Sequence, residues 1–216
     1  MSFRLSTAVA LCFSLAATAV SAGSVAFDRN WKKQGFSLFS GNSYGYGGNT
    51  LSVDSDGAVS LTYRALPQSF WPKHKAQWSW SVSEGVPATD LTRKGGDDRN
   101  LAMYFVFLPE AEAQRVQGGN IRQLLRSDNA RVLVYVWGGA HKRGAVLPSP
   151  YLGARGKTVV LRPSGNGNAN ENVDLAKDFK RAFGGQAPAL VGLAVSGDSD
   201  DTNSRIMASI SGLRLN

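Results

Sequence analysis

The strongest constraint on the fold is an alternation with a period of two. Residues 76–83 set Ala76, Trp78, Trp80 and Val82 on one side and Gln77, Ser79, Ser81 and Ser83 on the other, the pattern of a strand with one buried and one wet face. Leu51-Ser52-Val53 and Val59-Ser60-Leu61-Thr62-Tyr63 flank Asp54-Ser55-Asp56-Gly57, and Asp-Gly between two such runs predicts a hairpin turn. Residues 101–108, 132–137, 158–161 and 190–195 are continuously apolar, which predicts central strands covered on both faces. Ile206 to Leu215 alternates again, with a bulge expected at Gly212.

Helical signals are few. Val173, Ala176, Phe179 and Phe183 share a face, Lys180 and Arg181 occupy the last turn, and Gly184 follows as a cap, so 173–183 is expected to be helical. Glu110 to Arg126 is interrupted by Gly118-Gly119 and predicts two short turns or a partly helical excursion rather than one helix. Gly165 to Asn170 is polar and Gly/Asn-rich, and reads as a mobile loop. About nine or ten strands with turn residues between them give an all-β fold, an antiparallel β-sandwich of jelly-roll type with one or two short helices.

Residues 1–22 have the form of a signal peptide. Arg4 is followed by a run of small and apolar residues from Leu5 to Val20, and Val20-Ser21-Ala22 offers a cleavage site. The expected domain is therefore 23–216, in the periplasm or secreted, with no transmembrane segment. The single cysteine, Cys12, lies in the leader, so the exported domain holds no disulfide and depends on its core. The formal net charge is +8, which favours encounters with a glycan or other anionic envelope polymer. No basic run exceeds three residues and no recognition helix is present, which argues against sequence-specific nucleic-acid binding.

The acidic residues are unevenly placed. Five of the twelve aspartates fall in Lys94-Gly95-Gly96-Asp97-Asp98-Arg99 and Ser196-Gly197-Asp198-Ser199-Asp200-Asp201. The first group precedes a predicted strand and the second follows one, so antiparallel neighbours would bring both to one rim. Asp97, Asp98, Asp198, Asp200 and Asp201 are thus candidate ligand-binding residues, with calcium as the cation such oxygens would take in an exported protein. Lys94 and Arg99 are expected to meet anionic groups. Asx turns and ion pairs with Arg93, Lys94, Arg99 and Arg205 are the competing structural reading.

Other chemistry is thin. There are two histidines, His74 and His141, no Gly-x-Ser-x-Gly elbow, and four glutamates with no spaced pair, so neither a nucleophilic triad nor a glycosidase carboxylate pair is signalled. Phe70-Trp71-Pro72-Lys73 interleaves aromatic and basic residues, and Trp71 is expected near the surface.

Lys94-Gly95-Gly96-Asp97-Asp98, Tyr135-Val136-Trp137-Gly138, Pro150-Tyr151, the Asp178 to Gly184 helix end and Asp198-Ser199-Asp200-Asp201-Thr202, in that order, resemble an exported bacterial family defined only as a domain of unknown function, DUF3047. The resemblance runs from about Trp78 to Leu215. It implies that the Asp-rich loops and the strand ending in Trp137 form a shared site or a shared structural lock, in a fold similar to jelly-roll carbohydrate-binding modules. The resulting expectation is an exported, non-catalytic protein that binds an acidic glycan. A polysaccharide hydrolase or lyase using the Asp loops, and an envelope scaffold, are the alternatives.

Overall fold

The structure, a computed structural model, describes residues 23–36, 41–116 and 127–216. The expected leader and the second half of the 110–126 segment lie outside the described residues. Among the described residues, thirteen strands form two sheets packed face to face. The first contains β1 (Gly23–Ser24), β3 (Ser43–Tyr46), β4 (Thr50–Asp56), β6 (Lys75–Glu84), β11 (Gly167–Asp174) and β13 (Arg205–Leu215), in the order β11-β6-β13-β4-β3 with β1 also on β13. The second contains β2 (Lys32–Gly35), β5 (Val59–Ala65), β7 (Arg99–Leu108), β8 (Arg131–Trp137), β9 (Val146–Ser149), β10 (Gly153–Arg162) and β12 (Ala189–Asp198). Its order is β2-β5-β12-β7-β8-β10-β9. Every pair is antiparallel except β8 with β10.

Side-chain alternation builds the core between the sheets. Trp78 and Trp80 of β6 meet Phe105, Tyr135 and Trp137 from the opposite sheet, in tilted or edge-on ring pairs 5.7–6.0 Å apart. Each such pair adds about 0.5–1.5 kcal/mol beyond the area it buries. The seven-stranded sheet is apolar on its other face as well. Ala102, Val106, Val132, Val134 and Val136 form part of a second buried cluster there, as the continuously apolar runs require.

The Asp56-Gly57 turn does not make a hairpin. β4 pairs with β3 and β13, whereas β5 pairs with β2 and β12 in the other sheet, so Gly57, at φ +52°, turns the chain from one sheet to the other. Buried hydroxyls hold this arch: Ser55 Oγ donates to Ala58 O, and Ser60 and Thr62 point inward to Tyr44 and Tyr46. Val59 and Leu61 consequently face outward.

Two other expectations are corrected. The Asn-rich segment is largely the edge strand β11, in which Ala169, Glu171 and Val173 turn inward while Asn168, Asn170 and Asn172 face solvent. Helix α1 spans Glu110–Arg115, and the second helix, α2, spans Leu175–Phe183. Val173 stays on the strand because Asp174 caps α2, its side chain accepting from the Lys177 amide at 2.9 Å. Gly184 closes α2, and the Gly212 bulge lies where β13 shifts register.

Candidate functional site

The registers of β7 and β12 bring the two Asp loops together. Asp198 and Arg99 are ladder partners at one end of the seven-stranded sheet. One Arg99 terminal nitrogen lies 2.8 Å from Asp97 Oδ2 and 2.9 Å from Asp198 Oδ2, and the other donates to the Tyr104 hydroxyl at 3.0 Å. Tyr104 in turn lies 3.0 Å from Ser196 Oγ. Gly138 is needed beside this pair, because a Cβ there, at φ +155°, would sit 2.7 Å from Arg99 Cβ and 2.8 Å from its Cα.

Asp98 has a different task. Fully buried, it accepts from the Thr202 amide at 2.7 Å and the Thr202 hydroxyl at 2.5 Å, so it ties the second Asp loop to the start of β7. Oxygens of Asp98, Asp198 and Asp200 also lie within 4.8 Å of one another, a spacing suited to a hard cation. Arg99 already lies against one of those three carboxylates.

These residues border a cavity of about 460 Å³ on the outer face of the seven-stranded sheet. Asp97, Arg99, Tyr104, Asp198, Asp200 and Asp201 give it a charged end, while Val59, Leu61, Val106, Val132, Val134 and Ala194 supply aliphatic walls. Phe36 and Tyr151, both more than half exposed, also line it. Lys94 is 5.6 Å above the Tyr151 ring. Two buried polar atoms at the charged end, Asp97 Oδ1 and Arg99 Nε, have no hydrogen-bond partner among the described residues.

The electrostatics are those of crowded carboxyls. Burial pushes Asp198 up to about 8, against the pull of Arg99 and reinforced by Asp200 and Asp98. Asp201 is raised by burial and by Asp200, Asp98 and Asp97. The Tyr151 phenol is raised by burial, with Asp97 and Asp198 adding to it.

Six of the eight sequence candidates, Asp97, Asp98, Arg99, Asp198, Asp200 and Asp201, therefore converge, and Lys94 stands at the rim. Arg99, expected to meet a ligand's anionic group, is instead held between two carboxylates. Trp137 faces the other way: β8 turns residues 133, 135 and 137 inward, so its ring packs 5.7 Å from Trp80 and borders a separate hollow of about 230 Å³ with Arg162 and Asn166. Trp71 is also buried, with its Nε1 donating to Leu66 O. Sequence reasoning missed Phe36, Tyr104 and Tyr151 as site residues. The available signal was Tyr104, a hydroxyl in the alternate register of an otherwise apolar strand.

The class defined by these features is a two-sheet jelly roll with a ligand-sized cleft on one outer sheet face. The chain belongs to the family described as a protein of unknown function, DUF3047, whose model matches residues 29–214. No curated protein matches it. Among solved structures it is similar to the xyloglucanase domain of NopAA, a type three effector from Sinorhizobium fredii, at 11% identity and a TM-score of 0.44 over 89% of this chain and 97% of that one. It is also similar to the family 11 xylanase from Neocallimastix patriciarum, at 14% identity and a TM-score of 0.44 over 89% and 98%. A cellulase derived from one of Rhodothermus marinus gives 11% identity and a TM-score of 0.45 over 90% and 99%. Among the described residues, no helix is long and apolar enough to cross a membrane.

Proposed function

We propose that this chain is an exported carbohydrate-binding protein that takes a neutral sugar into the charged end of the cleft. The observation carrying this reading is the gathering of Asp97, Asp198, Asp200, Asp201 and Arg99 at one end of the cavity, beside the Tyr151 ring. Sugar hydroxyls both donate and accept, so they suit an end lined by carboxyl oxygens and a guanidinium. The exposed ring of Tyr151 offers an apolar face for the ring carbons of a sugar. Among the described residues, four carboxyls and one guanidinium line this end, which favours a neutral ligand over the acidic glycan suggested by overall charge.

The test is calorimetric titration with neutral and uronic oligosaccharides. Neutral sugars should bind, and Tyr151→Ala and Asp200→Asn should each weaken them at least tenfold. Binding confined to uronic sugars, or binding untouched by both variants, overturns the reading.

A second reading, a polysaccharide hydrolase, is favoured by one feature. Asp198, whose carboxyl burial pushes up to about 8 against the pull of Arg99, neighbours Asp200, and a raised carboxyl beside a second one is what general acid–base cleavage requires. Reducing-end release that is abolished by Asp198→Asn and by Asp200→Asn separately would establish it; no release from any glycan the protein binds would discard it.

A further inference from the structure

Most of the cleft wall is wrong for a sugar. The outer face of a sheet in a two-layer antiparallel sandwich is ordinarily wet and polar, yet here it is a buried apolar cluster. α1 and neighbouring segments cover part of it through Trp71, Leu108, Ala113 and Val191. Val106, Val132 and Val134 of that cluster, with Leu152 packed against it, line the cavity. Among the described residues, Thr158, next to Val134 in the ladder, and Ser149 are the polar side chains on that side. A sugar ring pushed against these walls would leave several hydroxyls unpaired, at the desolvation penalty of each. A hydrocarbon there loses nothing and removes apolar surface from water.

The cavity's size agrees with this division. At about 460 Å³ it exceeds one sugar ring and falls within the roughly 300–1,000 Å³ range of sites that enclose drug-sized ligands. Its two ends differ in chemistry and lie in one continuous space, so a single ligand that fills it must change character along its length.

We infer that the ligand is an amphiphilic glycoside, with a neutral sugar head at Asp97, Arg99 and Asp200 and an alkyl or acyl chain lying along Val106, Val132, Val134 and Leu152. This rests on the proposed sugar reading and adds the class of aglycone. The head fixes orientation through hydrogen bonds and the chain supplies most of the affinity, because burial of each methylene is worth about 0.8 kcal/mol, close to fourfold in Kd.

The experiment is titration of the exported domain with methyl, butyl and hexyl glycosides of glucose, galactose and mannose, below their micellar concentrations, with hexanol as the headless probe. Affinity for at least one sugar series should rise about fourfold per methylene, and hexanol should bind far more weakly than the hexyl glycoside. Ala194→Leu, which fills space in the cavity, should remove the dependence on chain length; the thermal midpoint without ligand shows whether it is folded. Leu152→Asp, at a partly exposed position, should do the same by placing a charge beside the chain. If methyl glycosides bind and longer chains add nothing, the chain site is wrong and the sugar reading stands. If hexanol binds as tightly as the hexyl glycosides, the sugar reading fails and an apolar site alone remains. If nothing binds, both fail.

Discussion

Arg99 and Asp198 are joined twice, as register partners in the β7–β12 ladder and as an ion pair at 2.9 Å. The backbone therefore fixes the pair before any side-chain choice is made, and Asp97 completes the enclosure of the guanidinium at 2.8 Å. Removing the cation leaves two almost fully buried carboxyls side by side. Arg99→Met should destabilise the fold by about 3–5 kcal/mol. Urea unfolding at pH 7 measures it, and a change below 1 kcal/mol would show that the enclosure contributes little.

The same crowding makes stability depend on pH through Asp198. Its carboxyl titrates near 8 in the folded chain and near 3.8 when unfolded, so the folded state holds the proton more tightly. Its contribution is fully present below about pH 4 and is lost as pH rises through 8. Thermal midpoints from pH 4 to 9 should therefore fall more steeply for the wild type than for Asp198→Asn, which has no proton to lose there. Parallel curves would refute the assignment.

Asp98 acts as a lock whose loss should be felt in the loop it holds. Replacing it with Asn removes the charge from the acceptor of the Thr202 amide and hydroxyl and puts an NH2 donor in place of the other oxygen, which faces the Asp201 amide, at a cost of about 1.5–3 kcal/mol for a charged hydrogen bond. Hydrogen exchange should show faster exchange at residues 200–203 in Asp98→Asn, with the β6 ladder unchanged.

Gly138 gives a steric test of the same site. Its missing Cβ is the space occupied by the Arg99 backbone and Cβ, so Gly138→Ala must displace β7 or the end of β8. A destabilisation of about 1–3 kcal/mol is expected from overpacking, together with weaker sugar binding because Arg99 moves. Unchanged affinity in a folded Gly138→Ala protein would separate Arg99 from the ligand.

The layers of this fold were legible where side-chain chemistry alternates strongly, as in Trp78 and Trp80 on β6, and where both faces are apolar, as in β7 and β8. The convergence of the Asp loops was legible too, because it follows from antiparallel neighbours alone. Strand pairing across Gly57 was not, since Asp-Gly specifies a turn and not which sheet the next strand joins. The β11 strand was hidden because its outward positions are Asn and its inward charge, Glu171, becomes acceptable only through Arg162 and Arg143 and the Trp80 Nε1. The cavity was beyond reach as well. Its walls use the same valines that any doubly covered strand would carry, and Val106, Val132 and Val134 are as buried as core residues, so nothing in the strand sequences marks the part of that face that borders a cavity.

Calcium is the last point on which the geometry makes a definite statement. The sequence suggests a cation among Asp97, Asp98, Asp198, Asp200 and Asp201, and oxygens of Asp98, Asp198 and Asp200 do approach within 4.8 Å. Asp98 already accepts from the Thr202 amide and hydroxyl, and Asp198 is paired with Arg99, so a calcium ion would have to displace donors and sit beside a fixed positive charge. The thermal midpoint of the chelator-stripped protein should thus stay unchanged in millimolar calcium, whereas a ligand specific to the folded state would raise it by mass action. In Arg99→Met the competing charge is gone, and the same carboxyls should now gain stability from calcium. A midpoint that rises with calcium in the wild type would mean that the Asp loops rearrange around a metal and that Arg99 is not their resident cation.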